Sequence, residues 1–448
     1  MARGGIAGIA GAGVGALAQF VLVVVVTRAF SAEQAGVFFT AVALALMIAG
    51  IVKLDAGNGL VYFIARARTY DYRGISGYVR AALAPGVALS VVAGALLYPH
   101  LGPLALALPL IVAADVLLAA TRGFGAMRPT VLLDGVLLPV AQLALVASVA
   151  LAATASGGLG GLGWLGGLGG PIGTVGPAGP DGTGSPGGLV TGLLAAAWAL
   201  PYVPLVVLAA TSLRGRMPRT PYLPGTGRDL WRHTAPRSAA GAIQAVFQRL
   251  DIVIVALLAG PGAVAVYTAA TRFKVVGQLA NQGLSHAAQP RLVRAMAEGD
   301  LTRARELYQV TTMWLVLLTW PVWLGYAVLA PWLLRVFGPG YGDAVPAALV
   351  LAATMMVATA CGMVDVVLTS AGHTTASLAN LVAAVGFTVV LDLALIPAHG
   401  ALGAALGWSG GVLLKNLLPL WQIHQRYGLR PFGRHSLTAL RFRSWAAA

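Results

Sequence analysis

The sequence predicts an all-α polytopic membrane protein of about twelve transmembrane helices, arranged as two six-helix lobes around a central cavity. Three observations predict it. Of the 448 residues, 58% are apolar and only 10% are charged, with a mean hydropathy of +0.82, whereas soluble domains carry about 25% charged residues. Apolar runs of roughly the twenty residues needed to cross a bilayer recur along the chain. Arginines gather in alternate loops between those runs. A net charge of +15 and a pI near 10.6 would suggest nucleic acid in a soluble chain; here the loop clustering is a topology signal, and no nucleic-acid partner is expected.

In order, the runs are Ile6 to Thr27, Ala35 to Ile64, Tyr78 to Tyr98, Pro103 to Thr121, Thr130 to Ala153 and Leu189 to Thr211. They continue with Thr234 to Ala259, Gly262 to Ala288, Leu307 to Ala330, Ala344 to Ala371, Ser377 to Ile396 and Ala401 to Ile423. The first run is longer than a signal-peptide core and is read as a retained helix. With both termini cytoplasmic, the even-numbered loops and the tail hold most of the 29 basic residues, as the positive-inside rule requires. The expected organisation is an N-terminal lobe at 1–228, a C-terminal lobe at 229–424 and a basic tail at 425–448. A flexible glycine-rich outer loop spans 154–188.

A weak internal repeat supports the two halves. Phe39-Thr40-Ala41 is echoed by Tyr267-Thr268-Ala269, and Asp115-Val116-Leu117-Leu118 by Asp365-Val366-Val367-Leu368. Gly11-Ala12-Gly13-Val14-Gly15 is not a dinucleotide fingerprint, since no strand precedes it; its glycines suit close helix packing. The single cysteine, Cys361, rules out an internal disulfide. The segment from Arg291 to Glu306 alternates charged and apolar residues and reads as an amphipathic helix lying on headgroups.

Charges inside apolar spans are costly and mark candidate function. Lys53, Arg249, Arg272 and Lys274 form a candidate cationic lining for a diphosphate, because arginine grips phosphate oxygens bidentately and lysine acts as a point charge. Gln244, Gln248 and Gln278 flank those charges at helical spacing and could meet sugar hydroxyls. Asp55, Asp251, Asp115 and Asp365 are candidates for ion coupling or pairing between lobes. The competing account is structural: Arg249 pairs with Asp251 or Asp55, and the acids tie helices together.

Thr27-Arg28-Ala29-Phe30-Ser31-Ala32-Glu33-Gln34-Ala35-Gly36, Arg249-Leu250-Asp251 with Ala265-Val266-Tyr267-Thr268-Ala269-Ala270, and Ile396-Pro397-Ala398-His399-Gly400-Ala401 resemble motifs of the polysaccharide-biosynthesis flippases. Those flippases are the lipid-linked oligosaccharide branch of the multidrug/oligosaccharidyl-lipid/polysaccharide exporter superfamily. The resemblance implies a flippase of the cytoplasmic membrane that moves polyprenyl-diphosphate-linked oligosaccharide by alternating access. It implies no catalytic residues, cofactor or metal, and a monomer in contact with membrane lipids and with glycan polymerase or glycosyltransferases of the same pathway. A lipid II flippase and a cation-coupled drug or solute antiporter of the same superfamily remain alternatives. An integral-membrane enzyme is disfavoured, since the one long outer loop offers only Asp181 for acid–base chemistry.

Overall fold

Helix is the only regular structure among the described residues of the computed structural model, which covers residues 2–69, 74–155, 186–217 and 225–436. The glycine-rich stretch at 154–188 lies almost wholly outside them, as does the tail beyond 436. The reason for an all-helical solution is physical: a chain in lipid must satisfy its backbone groups internally, and a helix does so within each segment.

Two helices, α1 (Ala2–Ala29) and α2 (Ala32–Val52), meet at Ser31. Its hydroxyl accepts from the Gln34 amide and the Gln34 side chain accepts from the Ser31 amide, a reciprocal cap that starts α2. The second apolar run is not one helix, as expected, but two: α2 stops at Val52 and α3 (Ala56–Thr69) begins after a three-residue break. Leu54 and Asp55 adopt left-handed conformations, with φ 52° and 51°. Then come α4 (Ile75–Leu101), α5 (Pro103–Gly123) and a short α6 (Met127–Pro129). From Thr130 to Leu137 the chain winds as a π-helix before α7 (Leu138–Ala155). Helices α8 (Pro186–Ala199) and α9 (Tyr202–Arg214) form the next span.

The second half holds α10 (Thr226–Thr271), α11 (Lys274–Ala297), α12 (Leu301–Arg335), α13 (Val345–Ala360), α14 (Val364–Ser370) and α15 (Thr374–Tyr427). Among the described residues, ten segments are long and apolar enough to cross a membrane. Two of them, α10 and α15, break at Gly260 (φ 81°) and Gly400 (φ 53°), a backbone that glycine adopts without a Cβ penalty. Dividing them there reaches the expected twelve when 261–271, too short to cross alone, is continued by α11. The eighth apolar run is interrupted once more, at Arg272 and Phe273, before α11.

The chain forms two compact units, 1–265 and 266–448; the expected lobe boundary at 228/229 lies near the start of α10. In the first unit α1 packs on the π segment, and a Cβ at Gly11 would come 2.7 Å from Val131 Cγ1, the close approach expected of that glycine cluster. In the second unit Tyr326 Oη donates to the Ala270 carbonyl at 2.9 Å, and Asn380 and Gln422 exchange amide hydrogen bonds at 2.8 and 2.9 Å. The segment from Arg291 to Glu306 is not a single surface helix. It turns at Gly299, and Leu292, Ala295 and Ala304 are buried in a cluster with Tyr308 and Leu368. A short alternating pattern cannot tell a membrane-facing side from one covered by protein.

Candidate functional site

Helix α2 ends where Lys53 caps it, and the cap aims the lysine at α5. There Lys53 Nζ donates to Asp115 Oδ2 at 2.8 Å, with the two side chains 39% and 41% exposed. The pair lines a cavity of about 220 Å³ in the first unit, together with Arg122, Asp134 and Tyr202. Asp134 reaches it from the π segment, whose wider turns shift side-chain register and are frequent at functional positions. Two acids and two bases thus face one space, which makes each charge tolerable in a low-dielectric setting.

The break after α2 is held from α10. Ser238 Oγ donates to the Leu54 carbonyl, Arg237 Nε donates to Asp55 Oδ2 at 3.2 Å, and Asn58 Nδ2 donates to Asp55 Oδ1 at 2.7 Å. Asp55 therefore pairs with Arg237, not with Arg249. These bonds hold two strained residues in place and so fix where Lys53 points.

Other sequence-predicted residues fall as follows. Arg249 is partly buried on α10, within electrostatic reach of Asp251 and the Tyr202 phenol. Asp251 is buried and accepts from the Ile252 amide at 2.9 Å. Gln244 is partly buried and Gln248 exposed on the same helix. Asp365, in the second unit, accepts from Ser377 Oγ and lies within electrostatic reach of Lys415. Arg272 bonds back to the Thr268 carbonyl of its own helix at 3.3 Å. The side chains of Lys274 and Gln278 lie outside the described residues.

The structure therefore brings Lys53, Asp115 and Asp134, each costly inside an apolar run, to one cavity. Lys53 is one half of an ion pair, not a lone cation. Arg122 and Tyr202 were not among the candidates the sequence offered. The only signal for Tyr202 was its place beside Pro201, where α8 gives way to α9.

A multi-pass helical membrane protein with broken helices and charges held inside its spans is the class that fold and site define. Within that class, residues 236–394 match the MatE family. The whole fold is shared with solved structures at low identity. One is an inward-facing multidrug resistance MATE family transporter of the MOP superfamily, at TM-score 0.69 and 16% identity, covering 93% of this chain and 95% of that one. Another is the lipid II flippase MurJ in an inward closed conformation, at TM-score 0.67 and 10% identity, covering 98% and 91%. A third is a MOP superfamily transporter from Pyrococcus furiosus, described as having a binding pocket of reverse polarity, at TM-score 0.57 and 16% identity, covering 95% of each chain. No curated protein matches.

Proposed function

We propose that the protein is a flippase that carries a polyprenyl-diphosphate-linked glycan across the cytoplasmic membrane by alternating access, with both termini cytoplasmic. One observation carries this reading: Arg249 sits within an apolar span, and Lys53 and Arg272 directly follow the ends of two such spans, where a diphosphate would offset the cost of their charges. The MatE match and the likeness to both a multidrug transporter and a lipid II flippase support the transporter class and leave the cargo to the charges. Two compact units, 1–265 and 266–448, suit a cycle in which units rock against each other.

A second reading, cation-coupled antiport of a drug or solute, is favoured by the two carboxylates, Asp115 and Asp134, in the Lys53 cavity. Proteoliposomes separate the two. A polyprenyl-diphosphate oligosaccharide carrying a fluorophore is scored by quenching from outside, beside uptake of an organic cation under a proton or sodium gradient. The flippase reading expects movement of the lipid-linked glycan, reduced at least tenfold by Arg249→Ala. Cation uptake without glycan movement would overturn it.

A further inference from the structure

A second cavity in the first unit, about 620 Å³, is separate from the Lys53 site. It lies at the arginine-rich ends of α3, α4 and α10, lined by Tyr62, Phe63, Arg66, Tyr78, Arg232 and His233, with Asp229 on the same wall. Helical spacing sets its two faces: Tyr62 and Arg66 are i, i+4 on α3, while Asp229, Arg232 and His233 share a face of α10. Four rings build the floor. Tyr62 stacks on His233 at 4.7 Å with 12° between planes, Phe63 stacks on Tyr78 at 4.7 Å, and Phe63 meets Tyr62 and His233 edge-on at 5.2 and 5.6 Å.

The walls are fixed. Gly59 of α3 and Gly77 of α4 admit Thr234 and Thr226 of α10 so closely that any added Cβ would clash, and Trp231 Nε1 donates to the Ala81 carbonyl at 3.1 Å. Phe63 and Tyr78 are buried, whereas Tyr62 is 47% exposed and offers a ring face. Among the described residues neither Arg66 nor Arg232 forms an ion pair or side-chain hydrogen bond. Two available guanidinium groups above a ring shelf fit an anion attached to a flat-faced body. A bare phosphate would leave most of the volume empty, since cavities of 300–1,000 Å³ suit ligands of roughly drug size.

We infer that this cavity binds a phosphorylated sugar headgroup. The sugar's C–H face packs on the outer face of Tyr62, whose other face lies on His233; its hydroxyls donate to Asp229, and its phosphate is held by Arg66 and Arg232, whose planar forks match phosphate oxygens. The headgroup is either free or the end of a lipid. In taking the lipid-linked form as cargo awaiting entry, the assignment rests on the flippase reading; in its chemistry it does not.

The test uses the full chain in nanodiscs and isothermal titration. Probes are N-acetylglucosamine 1-phosphate, inorganic phosphate, N-acetylglucosamine and AMP. A polyprenyl-phosphate N-acetylglucosamine and phosphatidylglycerol, each built into the nanodisc, ask whether a lipid form occupies the site and competes with the free sugar phosphate. The expected result is binding of the sugar phosphate at least tenfold tighter than phosphate, sugar or AMP. Arg66→Ala with Arg232→Ala should weaken it at least tenfold and the double lysine variant less, with thermal unfolding unchanged. Competition by the polyprenyl form would identify the lipid-linked headgroup as the source, and no competition the free sugar phosphate.

Tighter AMP binding, equal competition by phosphatidylglycerol, or binding indifferent to both arginines would overturn the inference. Absent binding alongside intact glycan flipping would remove this site and leave the flippase standing. Binding without any flipping would do the reverse.

Discussion

Lys53 shows how little a residue's identity says without its partner. A lysine in an apolar run costs free energy wherever it points; the 2.8 Å contact with Asp115 decides that it is spent in a pair beside a small polar cavity. Because the two side chains interact directly, their substitutions should not be additive. Lys53→Ala and Asp115→Ala are each expected to lower transport at least tenfold. A thermal-stability cycle on the single and double variants should give a coupling of about 0.5–3 kcal/mol, and exchanging the two charges should restore part of the activity. Full additivity would mean that the pair does not hold the cavity.

At the scale of elements, the break between α2 and α3 is the most informative local feature. A non-glycine residue in the left-handed region costs about 1–2 kcal/mol, and two in succession persist only because α10 holds them through Ser238 and Arg237. Leu54→Gly should therefore raise the thermal midpoint, by relief of about 1 kcal/mol. Asp55→Ala, which removes acceptors for the exposed Arg237 and Asn58, should lower it through a loss of about 0.5–1.5 kcal/mol. A second element-level contact lies at the start of α2, where the Gly36 backbone meets the Pro261 carbonyl beside the Gly260 break. Gly36→Ala must push these backbones apart, at about 1–3 kcal/mol. Scanning fluorimetry in detergent would check both, and an unaltered Gly36→Ala midpoint would contradict the contact.

For the whole molecule, the turns between spans give a topology that can be read chemically. Cys361 is the sole cysteine and is buried, so a cysteine-free background needs one substitution. Single cysteines introduced at Gly125, Gly215 and Gly299 should react with an impermeant maleimide only from the cytoplasmic side. Those at Gly102 and Gly340 should react only from the opposite side. Mixed labelling within either set would refute the alternation of the twelve spans and, with it, the cytoplasmic termini.

The sequence by itself determined the class, the number of spans and their approximate limits, because apolar length and arginine placement are properties of the chain that the bilayer reads directly. It also flagged Lys53, Asp55 and Asp115 as costly. What it could not show was pairing. Lys53 and Asp115 are 62 residues apart and Asp55 and Arg237 are 182 apart, so only packing of α5 and α10 against α2 and α3 could match them. Nor could it show that Arg66 and Tyr62 belong to one cavity with Arg232 and His233. Loop arginines look alike in sequence, and tertiary structure alone gave these two an aromatic floor.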